Sequence, residues 1–550
     1  MYINNRQKIK TSPRGDRFWQ AGLLALLAAY ILVFCLINFL GFGNFLHPDM
    51  YSDTLAAKYM WETKSLFPEN WVFGNQYYVI ATPAIAALFY GLTGNLNLSM
   101  ALATTAETVA LLAAVYWMFR SLLGKTQALI GPVALVSAVL AVDLAHRKEA
   151  QLLFVLASYY SCYLLTAVVV WGDYLQGLVQ KKRLLCVSFF LSLALSFATG
   201  MQSIRQTCIM TLPLLAFEGL RLLSRCLRRQ TINWKPAIRA AWVAAANLGG
   251  VFLMHLLHIP ATHIFGGDSL VGPGELPERF RLLAEAVWKI TGFSYAGDYG
   301  LKYALFIFLF SLICTMTVLL ALGITAARLR TRISGQEEKE GIDALNLLCL
   351  LSFLAVCASF LLVNVSAAST YLFMWYFWVC VSAVLVIDSL DGKKRFLALA
   401  LLCVVSVANL RFSHASSVLD SLHPGISNFR AAYAEAAAAL MDTDVEILYG
   451  PWSDTGKLCY YTNGEIVAVP WNKTPFQQLG YICPQGMIKP EDNQRAAYLI
   501  LDTELPEAQR FAERQGAELT LLQRVKVNES YFFGLYTSSA QLMRPPEPAS

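Results

Sequence analysis

For most of its length the chain is written in apolar blocks of about 17 to 27 residues, long enough at 1.5 Å per residue to cross a hydrocarbon core about 30 Å thick. In lipid every backbone N–H and C=O must be satisfied within the segment, so uninterrupted blocks of this length form helices. Hydrophobic residues make up 56% of the 550 and charged residues 15%, against roughly 25% charge in soluble domains, which is too little to coat a water-facing surface. The blocks lie near 18–42, 98–119, 127–143, 150–171, 184–201, 206–220, 238–258, 301–327, 344–365, 371–388 and 396–410. They predict a mainly α, polytopic transmembrane bundle of about 11–13 spans over residues 1–411, followed by a soluble domain over 412–550.

Charge sets the orientation. The first block follows Arg6, Lys8, Lys10, Arg14 and Arg17, is longer than a signal-peptide core, and lacks a small-x-small cleavage site, so it reads as a retained span. The clusters Lys181-Lys182-Arg183, Arg221 to Arg239, Arg328 to Lys339 and Lys393-Lys394-Arg395 belong with the N-terminus on the cytoplasmic side of a cell membrane. A twelfth block, Tyr77 to Leu92, is short and contains Pro83 and Gly91. If it re-enters or lies along the interface, eleven spans satisfy every cluster, and the C-terminal domain falls outside. The segments 43–97, 143–149, 202–205 and 259–300 then lie outside as well, with all seven histidines at or beyond the outer ends of spans. The net charge of +6 is spread over short loops, which argues against a nucleic-acid partner.

The C-terminal part alternates a helix, Ala431 to Leu440, with strand-like runs at Val445 to Leu448, Ile466 to Val469, Tyr498 to Leu501 and Phe532 to Tyr536. With the amphipathic segment Leu505 to Gln515, this predicts a small α/β domain, while the Pro-rich tail from Arg544 reads as disordered. Ten of the twelve cysteines are scattered singly, without a CxxC pair, which argues against a zinc or iron–sulfur site. Cys459 and Cys483 lie in the soluble domain, where an oxidising compartment would let them pair and a reducing one would leave them free.

Four groups carry chemistry on the outer side. Asp49 and Asp53 follow the first span; paired carboxylates there serve as a general base or hold a divalent cation, and the plainer reading is that they cap a loop helix. Asp143, His146, Arg147, Lys148 and Glu149 share one turn. Arg147 and Lys148 run against the positive-inside trend, an exception that an anionic headgroup or phosphate partner explains; snorkelling into headgroups is the alternative. Arg205 interrupts two spans where bidentate phosphate binding is natural, or it is an interfacial anchor. His255, His258, His263 and Asp268 form a weak metal pattern, because Pro260 breaks the helical spacing. The segment 259–300, with an amphipathic Phe280 to Ile290 helix, has the length of a lid.

The acidic outer loop, the helix Ala56 to Pro68, the aromatic-to-proline stretch Tyr77-Tyr-Val-Ile-Ala-Thr-Pro83, the run Leu88 to Gly94 and the helix ending Arg120 to Gly124 resemble the GT-C class of polytopic glycosyltransferases. That superfamily includes protein O-mannosyltransferases and lipid A aminoarabinose transferases. The resemblance covers roughly residues 18–220 and departs from the family by lacking the adjacent acidic pair and the Lys-Pro-Pro entry, in whose place stands Ala81-Thr82-Pro83. It implies a GT-C-like bundle that moves a sugar from a polyprenyl-phosphate carrier to an acceptor at the extracytoplasmic face. Asp53 is then the base, with Asp49 and Glu149 supporting it. Arg205, Lys148 and Arg147, with His146 beside them, hold the phosphate, and a divalent cation is the one cofactor left open. A lipid-linked-solute transporter and a non-catalytic scaffold that binds envelope polymers are the rival readings.

Overall fold

The computed structural model describes residues 13–41, 48–146, 149–155, 159–179, 186–261, 270–294, 301–331, 340–363, 368–412, 427–471 and 474–546. Among them nine helices are long and apolar enough to cross a membrane. The bundle is built from α1 (Pro13–Leu36), continued by a π turn at Ile37–Gly41, then α2 (Pro48–Thr63), α3 (Thr82–Thr93), α4 (Leu96–Leu122), α5 (Lys125–His146), α6 (Glu149–Leu153), α7 (Ser161–Val179) and α8 (Val187–Gln202). It continues with a π turn at Thr207–Thr211, α9 (Leu212–Leu227), α10 (Lys235–Leu257), α11 (Leu276–Ile290), α12 (Leu301–Thr331), α13 (Glu340–Leu362), α14 (Met374–Ser389) and α15 (Gly392–Phe412). α8 and α15 are the two remaining members of the expected eleven. The chain is thus a multi-pass membrane protein.

Side chains sort by solvent. α5 and α14 are buried on nearly all sides, whereas α12 turns Leu305, Leu312, Met316, Leu319 and Leu320 outward, as a lipid-facing helix does. α8 and α10 meet backbone to backbone. A Cβ on Gly200 would lie 2.1 Å from the Asn247 carbonyl oxygen, and one on Gly250 would lie 2.2 Å from that of Phe197. Close approach through small residues substitutes for a hydrophobic drive that lipid cannot supply.

One expectation about spans changes and one open point is decided. The 150–171 block does not cross as one helix. Tyr160 N–H returns to the Leu152 carbonyl at 2.8 Å and Thr108 Oγ1 donates to the Phe154 carbonyl at 2.7 Å, ending the helix, so the span runs over Ser161–Val179. The Tyr77 to Leu92 block is helical only over Thr82–Thr93, about 18 Å at 1.5 Å per residue, too short to cross. Gly94, at φ +63°, turns the chain directly into α4, and α3 lies back along it.

The C-terminal domain comprises α16 (Ser427–Met441), β1 (Ile447–Pro451), α17 (Trp452–Tyr461), β2 (Val467–Trp471), β3 (Ala496–Leu501), α18 (Leu505–Arg514), β4 (Leu519–Lys526) and β5 (Phe532–Ser538). The sheet order is β2-β1-β3-β5-β4, parallel on one side of β3 and antiparallel on the other. α17 and β4 were not legible, since α17 mixes Gly456 and Asp454 among aromatics and most of β4 is exposed at the sheet edge. Arg544 is not disordered as the Pro-rich tail suggested: its N–H donates to the Phe476 carbonyl at 2.7 Å. Cys459 and Cys483 are free thiols that line one small cavity, and Cys483 Sγ donates to the Leu479 carbonyl at 3.0 Å.

The domain sits directly on α2. Trp452 Nε1 donates to Ser52 Oγ at 3.0 Å, Lys58 Nζ to the Gly464 carbonyl at 2.7 Å, and Ile482 N–H to the Val72 carbonyl at 2.7 Å. A Cβ on Gly456 would stand 2.8 Å from Tyr51 Cβ, an atom fixed to the α2 backbone that cannot swing aside. Gly456→Ala is therefore expected to cost about 1–3 kcal/mol by overpacking. A lowered thermal midpoint, with earlier proteolysis of the domain, checks this.

Candidate functional site at the domain-bearing end of the bundle

Asp49 and Asp53 stand four apart on α2 and so share a face. Asp53 is mid-helix and 3% exposed, which removes the helix-cap reading for it. Tyr78 Oη donates to its Oδ1 at 2.6 Å. Burial pushes the Asp53 carboxyl up to about 8, against the pull of the Tyr78 hydrogen bond and with a further push from Asp49. A carboxyl there is poised between acid and base near neutral pH. Burial, and next the Asp49 carboxylate, push the phenol of Tyr481 in the C-terminal domain upward.

The segment from Asn75 to Thr82 connects this carboxylate to a cation. Tyr77 N–H donates to the Gln202 carbonyl at 2.9 Å, and the Val79 and Ile80 N–H groups donate to Gln202 Oε1 at 3.3 and 3.2 Å. With its backbone pinned, the segment sends Tyr78 to Asp53 and Gln76 to Arg205, whose Nη1 donates to Gln76 Oε1 at 3.3 Å. Tyr77 points elsewhere, to the Ile259 carbonyl at 3.1 Å.

Arg205 lies in an aromatic cage. Its guanidinium carbon is 5.0 Å from the Tyr160 ring centroid, 5.6 Å from Tyr163 and 4.7 Å from Tyr371. Tyr163 Oη donates to Gln76 Oε1 at 3.0 Å, Asn75 Nδ2 donates to Tyr371 Oη at 3.1 Å, and Tyr160 stacks on Phe373 at 4.9 Å. Burial pushes the Tyr160 phenol up to about 12 although Arg205 pulls it down, so the ring stays a neutral donor. Among the described residues no carboxylate comes within ion-pair distance of Arg205. Aromatic faces offset part of its charge, and its planar donors remain suited to a phosphate.

The other expected residues divide by position. His146 closes α5 and Glu149 opens α6, while Arg147 and Lys148 between them lie outside the described residues, as do His263 and Asp268. His255 and His258 are exposed at the end of α10 with ring centroids 6.3 Å apart, and His258 Nδ1 meets the Leu256 carbonyl at 2.8 Å. Among the described residues no three His, Cys, Asp or Glu side chains converge as a metal site would require. α11, from the expected lid segment, packs against Ser369–Leu372, the turn that carries Tyr371.

Sequence reasoning passed over Tyr78, Gln76, Gln202, the tyrosine cage and Glu107. Glu107 had a signal: it is a lone acid inside an apolar block. It is 3% exposed, its Oε2 accepts from Thr82 Oγ1 at 3.0 Å, and its Oε1 has no partner. Thr82→Val is expected to free the end of the pinned segment and to cost roughly 1 kcal/mol of stability by removing the hydroxyl's bond to Glu107. Thermal midpoints beside the Thr82→Ser variant, which keeps the hydroxyl, check it.

No family model matches the sequence, and no curated protein matches it. Among solved structures the chain is similar to ArnT from Cupriavidus metallidurans in the apo state, with 12% identity, a TM-score of 0.50, and coverage of 96% of this chain and 99% of that one. It is also similar to the same protein bound to undecaprenyl phosphate, with 12% identity, a TM-score of 0.49 and the same coverage. The overall fold is therefore ArnT-like: a transmembrane helical bundle with a small C-terminal sheet domain.

Proposed function

We propose that this chain is a membrane glycosyltransferase that moves a sugar from a polyprenyl-phosphate carrier to an acceptor on the extracytoplasmic face, where its C-terminal domain lies. One observation carries the reading: Asp53, a buried carboxyl pushed up to about 8, and Arg205, a caged guanidinium, are held by the same pinned segment. In this chemistry the acceptor hydroxyl attacks the anomeric carbon and gives its proton to the Asp53 carboxylate. A new carbon–oxygen bond forms, and the bond to the phosphate oxygen breaks with its electron pair leaving on the phosphate. Arg205 meets that charge as it develops. Asp49 stands beside Asp53 to orient the acceptor, Glu149 is the further supporting carboxylate of this reading, and Lys148, Arg147 and His146 are its further phosphate contacts. The ArnT-like fold supports the carrier lipid, since a site at the end of the bundle receives a phosphate headgroup while its chain stays in the bilayer.

The far end of the bundle bears on the transporter reading. There Arg239 pairs with Asp173 at 2.7 Å, Arg221 Nε donates to Glu218 at 2.7 Å, and Arg328 pairs with Asp343 at 3.0 Å. Such buried pairs are costly to break. Two of them cross between helices, Arg239–Asp173 from α10 to α7 and Arg328–Asp343 from α12 to α13, and give that end the character of a fastening rather than a gate.

The test is sugar release from a panel of radiolabelled polyprenyl-phosphate sugars by the purified protein. Consumption of one donor by wild type, and its loss in Asp53→Asn and Arg205→Ala, is the expected result. No donor consumed, or equal consumption by the variants, refutes the reading.

A further inference from the structure

Away from Asp53, the C-terminal domain carries a second cavity of about 260 Å³, lined by Thr474, Phe476, Glu507, Phe511, Arg514 and Arg544 among others. Its centre is aromatic. Phe476 and Phe511 stack at 5.0 Å with 18° between their planes. Two guanidiniums flank the same ring, Arg544 at 5.0 Å and Arg514 at 5.9 Å from the Phe511 centroid. Among the described residues neither arginine has a carboxylate within ion-pair distance, although Glu507 lines the same cavity. A structural arginine pair is ordinarily spent on nearby acids; here two forks and one carboxylate stand apart around a shared opening.

Backbone geometry adds an independent observation. Phe476 sits at φ +63° while 1% exposed, a conformation a bulky side chain rarely adopts, and Ile482, six residues on, sits at +47°. Strain of this kind concentrates where function over-determines the backbone. Phe476 is fixed through the Arg544 N–H at 2.7 Å, and Gln478 N–H returns to the Arg544 carbonyl at 3.0 Å, so the strain also sets the position of a cavity arginine. Farther along the same loop, Ile482 N–H donates to the Val72 carbonyl at 2.7 Å and Gln485 N–H to that of Asn70 at 2.8 Å. Through this loop the cavity is tied to the segment that leads into Tyr78.

We propose that this cavity binds a saccharide residue bearing a carboxylate or phosphate group, and that it holds the acceptor of the transfer; only the second clause rests on the transferase reading. The arginine forks take the anion in planar, bidentate fashion, while Glu507 and Thr474 meet sugar hydroxyls. The volume lies below the roughly 300–1,000 Å³ of drug-sized pockets, which fits one terminal sugar rather than a length of polymer.

The test uses the full-length protein in nanodiscs and three probes: a hyaluronan hexasaccharide, glucose phosphate and neutral maltohexaose. Calorimetric titration should show an acidic probe binding at least about tenfold more tightly than maltohexaose. That preference should vanish in Arg514→Gln/Arg544→Gln, whose thermal midpoint stays near wild type because both side chains are exposed. Arg544→Lys, which keeps charge but not the fork, should retain part of it. Whichever acidic probe binds identifies carboxylate or phosphate as the recognised group. Equal binding of acidic and neutral probes, or an unchanged preference in the double variant, overturns the proposal. Absence of donor cleavage by wild type counts against the transferase reading alone, since the titration contains no donor.

Discussion

At neutral pH, Asp53→Asn is expected to turn over about 10²–10⁴-fold more slowly than wild type while binding donor with little change, because the amide keeps the shape but cannot take a proton. The pH profile carries a separate signature. With the carboxyl pushed up to about 8, wild-type kcat/KM should climb with pH and level off above about 8. Tyr78→Phe removes the hydrogen bond that pulls Asp53 down, so the climb should move to still higher pH. Stability moves with the same group. Its folded value lies above the ordinary carboxyl value of about 3.9, so its contribution is complete below about 3.9 and is lost as pH rises through about 8. Asp53→Asn should therefore melt higher than wild type at alkaline pH and alike in acid. Wild-type turnover by the Asn variant would remove Asp53 from the chemistry, and a flat pH profile would do the same.

Arg205→Ala should cost about 2–5 kcal/mol in kcat/KM for the donor, roughly 30- to 4,000-fold, by deleting the guanidinium that meets the phosphate. Arg205→Lys keeps the charge but loses both the planar fork and the stacking on Tyr160, Tyr163 and Tyr371, so it should fall between the two. Tyr371→Phe tests the cage separately. It keeps the ring face and loses only the hydroxyl that accepts from Asn75, and a small effect is expected. Steady-state kinetics with the donor identified above decides all three. An alanine variant as active as wild type would assign Arg205 to anchoring the helix end.

Much of the architecture could be read directly because the bilayer is an exacting solvent. Eleven apolar blocks gave eleven helices, and the proline and glycine in Tyr77 to Leu92 marked the one block that does not cross. The failures had local causes. The 150–171 block was misplaced because Phe154 and Tyr160 look apolar enough to continue a span, and only their hydrogen bonds to Thr108 and Leu152 end the helix. β4 escaped notice because an exposed edge strand carries little hydrophobic alternation.

The candidate site divides the same way. Asp53 and Arg205 stood out alone in the sequence, because a charge beside apolar spans is conspicuous wherever it points. Their relation was invisible, since it runs through Gln202, Gln76 and Tyr78, uncharged residues without a motif, brought together across 129 positions between Gln76 and Arg205. The sequence by itself determined which segments must be helices in lipid, because backbone hydrogen bonding there is a local demand. Tertiary structure alone decided that Asp53 is buried beside Tyr78, that Arg205 faces tyrosines rather than an acid, and that the C-terminal domain rests on α2, because burial and charge environment belong to whatever distant parts of the chain pack around a group.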